Sequence, residues 1–293
     1  MEQIKEKAYA KINLSLDVIR RRDDGYHEVK MIMQTVGLYD KLTMEKCEEG
    51  INITVSMGEG FSGETLPADE NNLVYKAAKL IMEKFQLDKG IKICLEKHIP
   101  LAAGMAGGST DAAAVFRGMN ELFLLGMTTE EMKKMAVKIG ADVPYCIEGG
   151  TQLSEGIGEI LTPLKAAPEF LLLIAKPDIS VSTKYVYENL DLQALEIHPD
   201  VDGMAEAIGN GDRVGITSRL GNVLESVTLE KYPVIQEIKT VMKENGAWNA
   251  LMSGSGPTVF GIYEERADME KTTELLRTKG LAKQIFMTTA KGI

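Results

Sequence analysis

At 293 residues the chain exceeds what one hydrophobic core usually serves, so two domains are expected. Apolar residues make up 44% and charged residues 26%, an ordinary globular balance, and 43 acidic against 33 basic residues leave a net charge of −10. That charge argues against broad attraction to nucleic acid or an anionic membrane, although local donors can still hold a nucleotide-sized ligand.

The segment Met1 to Lys7 lacks the apolar centre of a signal peptide, and the most continuous apolar run, Phe170 to Ala175, is far too short for a membrane span. A cytoplasmic protein is expected. The three cysteines, Cys47, Cys94 and Cys146, are far apart and lack C-x-x-C spacing, so neither a disulfide framework nor a zinc site is indicated. His27, His98 and His198 show no H-x-x-x-H pairing, so any metal is expected to arrive with a substrate.

From Ala8 to Val18 apolar residues hold the even positions, which predicts a half-buried strand with Tyr9, Lys11, Asn13, Ser15 and Asp17 on the opposite face. Asp24-Gly25 marks a turn, and Tyr26-His27-Glu28 opens a strand through Met33 and Val36. Lys41 to Lys46 and Ile51 to Ser56 are expected to pair around Glu48-Glu49-Gly50, and Gly58 to Glu70 reads as a loop. Leu73, Val74, Ala77, Leu80 and Ile81 mark an amphipathic helix ending near Leu87.

A strand, Ile91 to Glu96, then leads through Pro100-Leu-Ala-Ala-Gly104-Met-Ala-Gly107-Gly108-Ser109-Thr110 into a helix carrying Ala112, Val115, Phe116, Met119, Leu122 and Phe123 at helical spacing. Glycines let backbone N–H groups approach a ligand, and a helix start adds unpaired donors with partial positive charge, so the stretch is a candidate phosphate cradle. Its spacing matches neither Walker A nor G-x-G-x-x-G. The plainer alternative is a strand-to-helix connection N-capped by Ser109 or Thr110. Thr128 to Glu131 forms a capping box for a short helix stopped by Gly140, and Ala141-Asp142-Val143-Pro144 follows.

Glycines at 149, 150, 156 and 158 punctuate two short strands, and a connector near residue 165 divides the chain into segments 1–164 and 165–293. The second segment opens on the strand Phe170 to Ala175. Helices follow at Thr183 to Leu190, Gly203 to Ile208, Arg213 to Glu225 and Tyr232 to Asn245. Ala247 to Met252, the turn Ser253-Gly254-Ser255-Gly256, Val259 to Tyr263, a helix from Ala267 to Lys279 and Gln284 to Thr288 complete a small sheet backed by helices.

Taken in order, Ala8-Tyr-Ala-Lys11-Ile-Asn13-Leu, the Pro100 to Ala114 loop, Gly140-Ala-Asp142-Val-Pro144 and Leu251-Met-Ser-Gly254-Ser-Gly256-Pro-Thr resemble the GHMP kinase superfamily over nearly the whole chain. The resemblance implies an α+β fold of two domains. The N-terminal one is like domain 2 of ribosomal protein S5 and carries ATP and the catalytic groups; the C-terminal one is ferredoxin-like and lies on the substrate side. Ala10-Lys11-Ile12-Asn13-Leu14 followed by Asp24-Gly25-Tyr26-His27-Glu28 narrows this to a branch that phosphorylates the 2-hydroxyl of a cytidine diphosphate-linked methylerythritol in non-mevalonate isoprenoid precursor biosynthesis.

By this resemblance Asp142 is the base that takes the acceptor's proton and Lys11 its charge-stabilising partner, where a turn aspartate and a solvated lysine are the plain alternatives. Pro100, Ala102, Ala103, Gly104, Met105, Ala106, Gly107, Gly108, Ser109 and Thr110 hold ATP, and Ser109 or Thr110 could touch its Mg²⁺. Asn13 orients the substrate; Tyr26 stacks on cytosine and His27 hydrogen-bonds to it, against an alternative of edge packing. Tyr185 could supply the second stacking face or be a core residue of its helix, and Gly254, Ser255 and Gly256 close over the ligand or merely turn a hairpin.

The chain departs from the usual pattern at Tyr9, where a proline is common, and at Ala106, whose side chain disfavours positive φ, so the loop backbone is expected to differ there. The rivals are a homoserine- or mevalonate-type kinase and a non-catalytic nucleotide sensor. The Tyr26-His27 pair argues against the first, and the presence of both Lys11 and Asp142 argues against the second. The expected partners are small molecules, and the chain is a monomer or a homodimer.

Overall fold

The computed structural model describes residues 2–58, 60–61 and 65–292. In chain order the elements are β1 (Gln3–Arg21), β2 (His27–Cys47), β3 (Ile51–Met57), α1 (Leu73–Phe85), β4 (Gly90–Lys97) and α2 (Gly107–Leu122). Next come α3 (Thr129–Ala136), α4 (Val143–Glu148), β5 (Thr151–Glu155), β6 (Ile160–Pro163), β7 (Leu171–Lys176), α5 (Thr183–Glu188), α6 (Val201–Asn210) and α7 (Arg213–Ser218). The last are β8 (Gly221–Asn222), α8 (Glu225–Lys231), α9 (Pro233–Glu244), β9 (Asn249–Met252), β10 (Val259–Tyr263), α10 (Arg266–Thr278) and β11 (Gln284–Thr289). Part of the loop expected over Gly58 to Glu70, namely residues 59 and 62–64, lies outside the described residues.

Contacts group the chain into two units, each discontinuous in sequence. Unit 1 takes Met1–Ala10, Leu38–Pro100 and Ala106–Gly149; unit 2 takes Lys11–Gly37, Leu101–Met105 and Gly150–Ile293. A boundary at residue 164 is a position along the chain, whereas these units cluster contacts, so the two divide the protein on different principles.

In unit 1 the strand order is β3-β4-β2-β1, and α1, α3 and α4 pack on α2. β4 is antiparallel to β2 and parallel to β3, with Leu42 opposite Leu95 and Ile53 opposite Ile93. The hairpin expected between Lys41 to Lys46 and Ile51 to Ser56 is therefore wrong, because β4 inserts between them. Ile91, Ile93 and Leu95 are buried, whereas β3 is at best half-buried throughout; the more apolar strand takes the interior and β3 the edge. α2 is buried on nearly all sides by Ala112, Ala113, Ala114, Val115, Phe116 and Met119, so its register is set by packing as well as by propensity.

Unit 2 contains the β1–β2 hairpin around Gly25, whose φ of 85° suits the turn, with β5 on β2, β6 on β5, and β8 parallel to β1. A second sheet of the described residues runs β11-β7-β10-β9, all antiparallel. Numbered by themselves these strands read 4-1-3-2, the ferredoxin-like order. Three expectations change. Lys11, Asn13, Ser15 and Asp17 are all buried, so this length of β1 is covered on both faces. The strands expected at Tyr26 to Val36 and Lys41 to Lys46 are one continuous β2. The helix expected from Arg213 to Glu225 is cut by β8, where Asn222 turns its side chain to backbone carbonyls.

Candidate active site

On β1 of unit 2, Lys11 and Asn13 share a face by the two-residue period, and Lys11 Nζ donates to Asn13 Oδ1 at 2.8 Å. Lys11 is only 5% exposed, far from the solvated lysine its spacing would suggest. Its backbone N–H donates to Met105 O at 3.2 Å, which ties the strand to the glycine loop. Residues Leu101–Met105 seat on the Ser253 to Gly256 turn. Gly104, at φ 68°, lies so near that a Cβ would come 2.1 Å from Ser253 O, and Ser253 Oγ donates to Gly104 O at 2.9 Å.

Asn222 Nδ2 donates to Met252 O (2.9 Å) and Gly254 O (2.7 Å), and Ser255 Oγ pairs at 2.8 Å with Oγ1 of Thr183, the first residue of α5. Gly104, Gly254, Ser255 and Gly256, far apart in sequence, are thus brought together. Asn222 was not legible as part of this group, since its only signal is a polar residue in an apolar stretch.

The aromatic residues are arranged differently from expectation. Tyr26 is 61% exposed, and the ring of His27 lies 5.1 Å from that of Tyr187, not Tyr185. Tyr185 instead has Lys231 Nζ 3.3 Å from its ring centroid. Two residues along a helix are about 200° apart, so the two tyrosines of α5 face opposite ways, and the sequence offers no means of phasing a six-residue helix. Burial, aided by the charge of Arg21, lowers the His27 pKa below its ordinary 6.5, so the imidazole is neutral at neutral pH.

In unit 1 the loop resumes at Ala106. Its φ of 57° places it at the N-cap of α2, so neither Ser109 nor Thr110 caps this helix. The positive φ that the alanine was expected to avoid is kept. Ala106 has no side-chain cap for α2, in contrast to Asn72 on α1 and Thr128 on α3, and among the described residues the N–H groups of Gly107, Gly108 and Ser109 remain for an anion. Thr110 is buried and donates its hydroxyl to Tyr9 O at 2.8 Å, whereas Ser109 is half-buried. Pro100 ends the approach from β4. Asp142 is half-buried at the N-cap of α4, an element the sequence reading lacked, and its carboxylate does not cap that helix.

A buried lysine, a glycine loop and an uncapped helix start suit phosphoryl transfer, which depends mostly on positioning and charge stabilisation. The GHMP kinases N terminal domain matches residues 72–150, and the GHMP kinases C terminal domain matches residues 200–280. The 4-diphosphocytidyl-2-C-methyl-D-erythritol kinase of Lachnospira eligens is 55% identical, with 98% of each chain covered. The chain belongs to the GHMP kinase family.

A crystal structure of a 4-(cytidine 5'-diphospho)-2C-methyl-D-erythritol kinase is 30% identical, superposes with a TM-score of 0.83 and covers 99% of this chain and 100% of that one. A homoserine kinase from Cytophaga hutchinsonii, 21% identical at a TM-score of 0.77 with 100% and 95% covered, shares the fold. The chain has the two-domain GHMP kinase fold, and as a GHMP kinase it is an ATP-dependent enzyme acting on small molecules. Among the described residues no helix is long and apolar enough to cross a membrane.

Proposed function

We propose that this GHMP kinase transfers the γ-phosphoryl group of ATP to the 2-hydroxyl of 4-diphosphocytidyl-2-C-methyl-D-erythritol and releases ADP. The observation that carries the reading is the aromatic set of unit 2: exposed Tyr26 beside His27, whose ring lies 5.1 Å from Tyr187. A nucleobase offers faces to stack on and an edge for a neutral imidazole, and homoserine and mevalonate offer neither. The name borne by the relative from Lachnospira eligens supports the same acceptor.

In this reading residues 1–164 carry ATP and the catalytic groups, and residues 165–293 lie on the substrate side. Asp142 takes the proton from the acceptor hydroxyl, Lys11 balances the negative charge that develops, and Asn13, held by Lys11, orients the acceptor. Residues 100–110 receive the phosphates through backbone N–H groups, and Gly254, Ser255 and Gly256 close on the ligand. Among the described residues no three His, Cys, Asp or Glu side chains are grouped to hold a metal ion. Mg²⁺ enters as part of MgATP, with the Ser109 hydroxyl available to it and that of Thr110 committed to Tyr9. Both substrates are soluble metabolites, and the enzyme works in the cytoplasm.

A coupled ADP-release assay with three acceptors tests the proposal. Turnover is expected with the cytidylylated methylerythritol alone. Turnover with homoserine or mevalonate, and none with the cytidylylated alcohol, would overturn it.

A further inference from the structure

Unit 1 buries three ionisable side chains together, and burial pushes the pKa of the Asp111 carboxyl up. Lys97 is 1% exposed, Asp40 0% and Asp111 1%. Lys97, the last residue of β4, donates from Nζ to Asp111 Oδ2 at 2.7 Å and also to Asp40 Oδ2. Asp40, on β2, uses its other oxygen to accept the backbone N–H groups of His98 and of Ile99, the latter at 2.8 Å. Asp111 stands one turn into α2, and Lys97 Nζ lies beneath the first residue of that helix, 3.3 Å from where a Cβ on Gly107 would be.

Such a triad is a poor way to gain stability. Taking ionisable groups out of water costs more than their attraction usually returns, and replacing a whole buried triad by well-packed apolar residues is often neutral or stabilising. Geometry explains it better. Asp40 fixes the exit of β4 through His98 and Ile99, Asp111 fixes the first turns of α2, and Lys97 joins the two carboxylates. These are the two anchors between which residues 100–106 are strung.

We propose that Asp40, Lys97 and Asp111 form a clamp that positions the ATP phosphate loop by holding the end of β4 and the start of α2 at a fixed separation. The proposal rests on the reading that the donors at the start of α2 receive ATP phosphates. All three side chains are out of reach of solvent, so they are positioning residues and touch neither substrate. The clamp acts on nucleotide binding and leaves the acceptor subsite alone.

The test is the triple variant Asp40→Asn/Lys97→Met/Asp111→Asn, which removes every charge at once and leaves none uncompensated. Its melting temperature, the affinity for a non-hydrolysable ATP analogue by titration calorimetry, and the KM of each substrate are measured beside wild type. The expected result is a folded protein with ATP affinity and KM worse by about 10-fold or more and an unchanged acceptor KM. A folded triple variant that binds the analogue and turns over like wild type would overturn the clamp.

If the triple variant fails to fold, Asp111→Asn decides. This variant keeps the Asp40–Lys97 pair, and a rise in ATP KM alone supports the clamp, whereas an unchanged ATP KM sinks it. Failure of the wild type itself to bind the analogue would instead refute the kinase reading on which the clamp rests.

Discussion

The glycine loop is held in two contrasting ways. Where it belongs to unit 1, its flanks are fixed by charge: Asp40, Lys97 and Asp111, all buried, lock the end of β4 and the first turns of α2. Where it belongs to unit 2, residues Leu101–Met105 are held without charge, by the packing of Gly104 against Ser253 and by neutral hydrogen bonds from Lys11 N and Ser253 Oγ. A charged network resists stretching and is sensitive to the loss of one partner; a backbone-on-backbone contact has no give at all, since neither side can change rotamer. The lesson is that the flanks should keep their fold under balanced substitution while losing ATP affinity, whereas the centre should tolerate no added atom.

Among changes to the loop and the acceptor side, Gly104→Ala should have the largest effect. Its Cβ would fall 2.1 Å from Ser253 O at a residue with φ of 68°, so the backbone must move. A loss of about 10²-fold in kcat/KM for ATP is expected, from the usual consequence of displacing a positioning element by about 1 Å. Steady-state kinetics check it, and a near-normal value would mean that the loop centre does not set phosphate geometry.

Tyr187→Ala should raise the acceptor KM by about 10-fold, in line with ~1–3 kcal/mol for a base stacked on an aromatic ring, and leave the ATP KM alone. Tyr185→Ala, which removes only the ring under Lys231, should change either value far less. Equal effects of the two would remove the distinction drawn between the faces of α5. Ser253→Ala deletes one neutral hydrogen bond to Gly104 O, worth about 1 kcal/mol, and should raise the ATP KM about 5-fold.

The smallest effect is the pH dependence of acceptor binding. Because burial and Arg21 lower the His27 pKa, the ring takes up its proton at a lower pH than a free histidine, and the acceptor KM should rise only at a correspondingly lower pH. The same shift makes the unfolded chain take up this proton first. The contribution of His27 to stability is therefore complete above 6.5 and is lost as the pH falls through its folded pKa. Unfolding midpoints measured across that range, with His27→Gln as the control, check the sign.

Much of this was legible in the sequence because local chemistry dictates it. The order of strand, glycine loop and helix, the capping box at Thr128, and the turn at Gly25 each depend on residues a few positions apart. What was hidden depends on register. Asp40, Lys97 and Asp111 meet only because β4 lies between β2 and β3, and the sequence suggested a β2–β3 hairpin instead. Tyr187 could not be told from Tyr185 within one short helix, and Asn222 required the pairing of β8 with β1 and the carbonyls of the distant turn at 252–254. Ala106 shows the opposite error: intrinsic preference argued against positive φ, and tertiary packing around α2 prevailed at a cost of about 1–2 kcal/mol.

The most direct test of phosphoryl transfer at this site is the turnover of Asp142→Asn measured together with its affinity for a non-hydrolysable ATP analogue. The account predicts a fall in kcat of about 10²-fold or more, the usual scale of general acid–base contributions, with nucleotide affinity unchanged. A variant that turns over at the wild-type rate would contradict it.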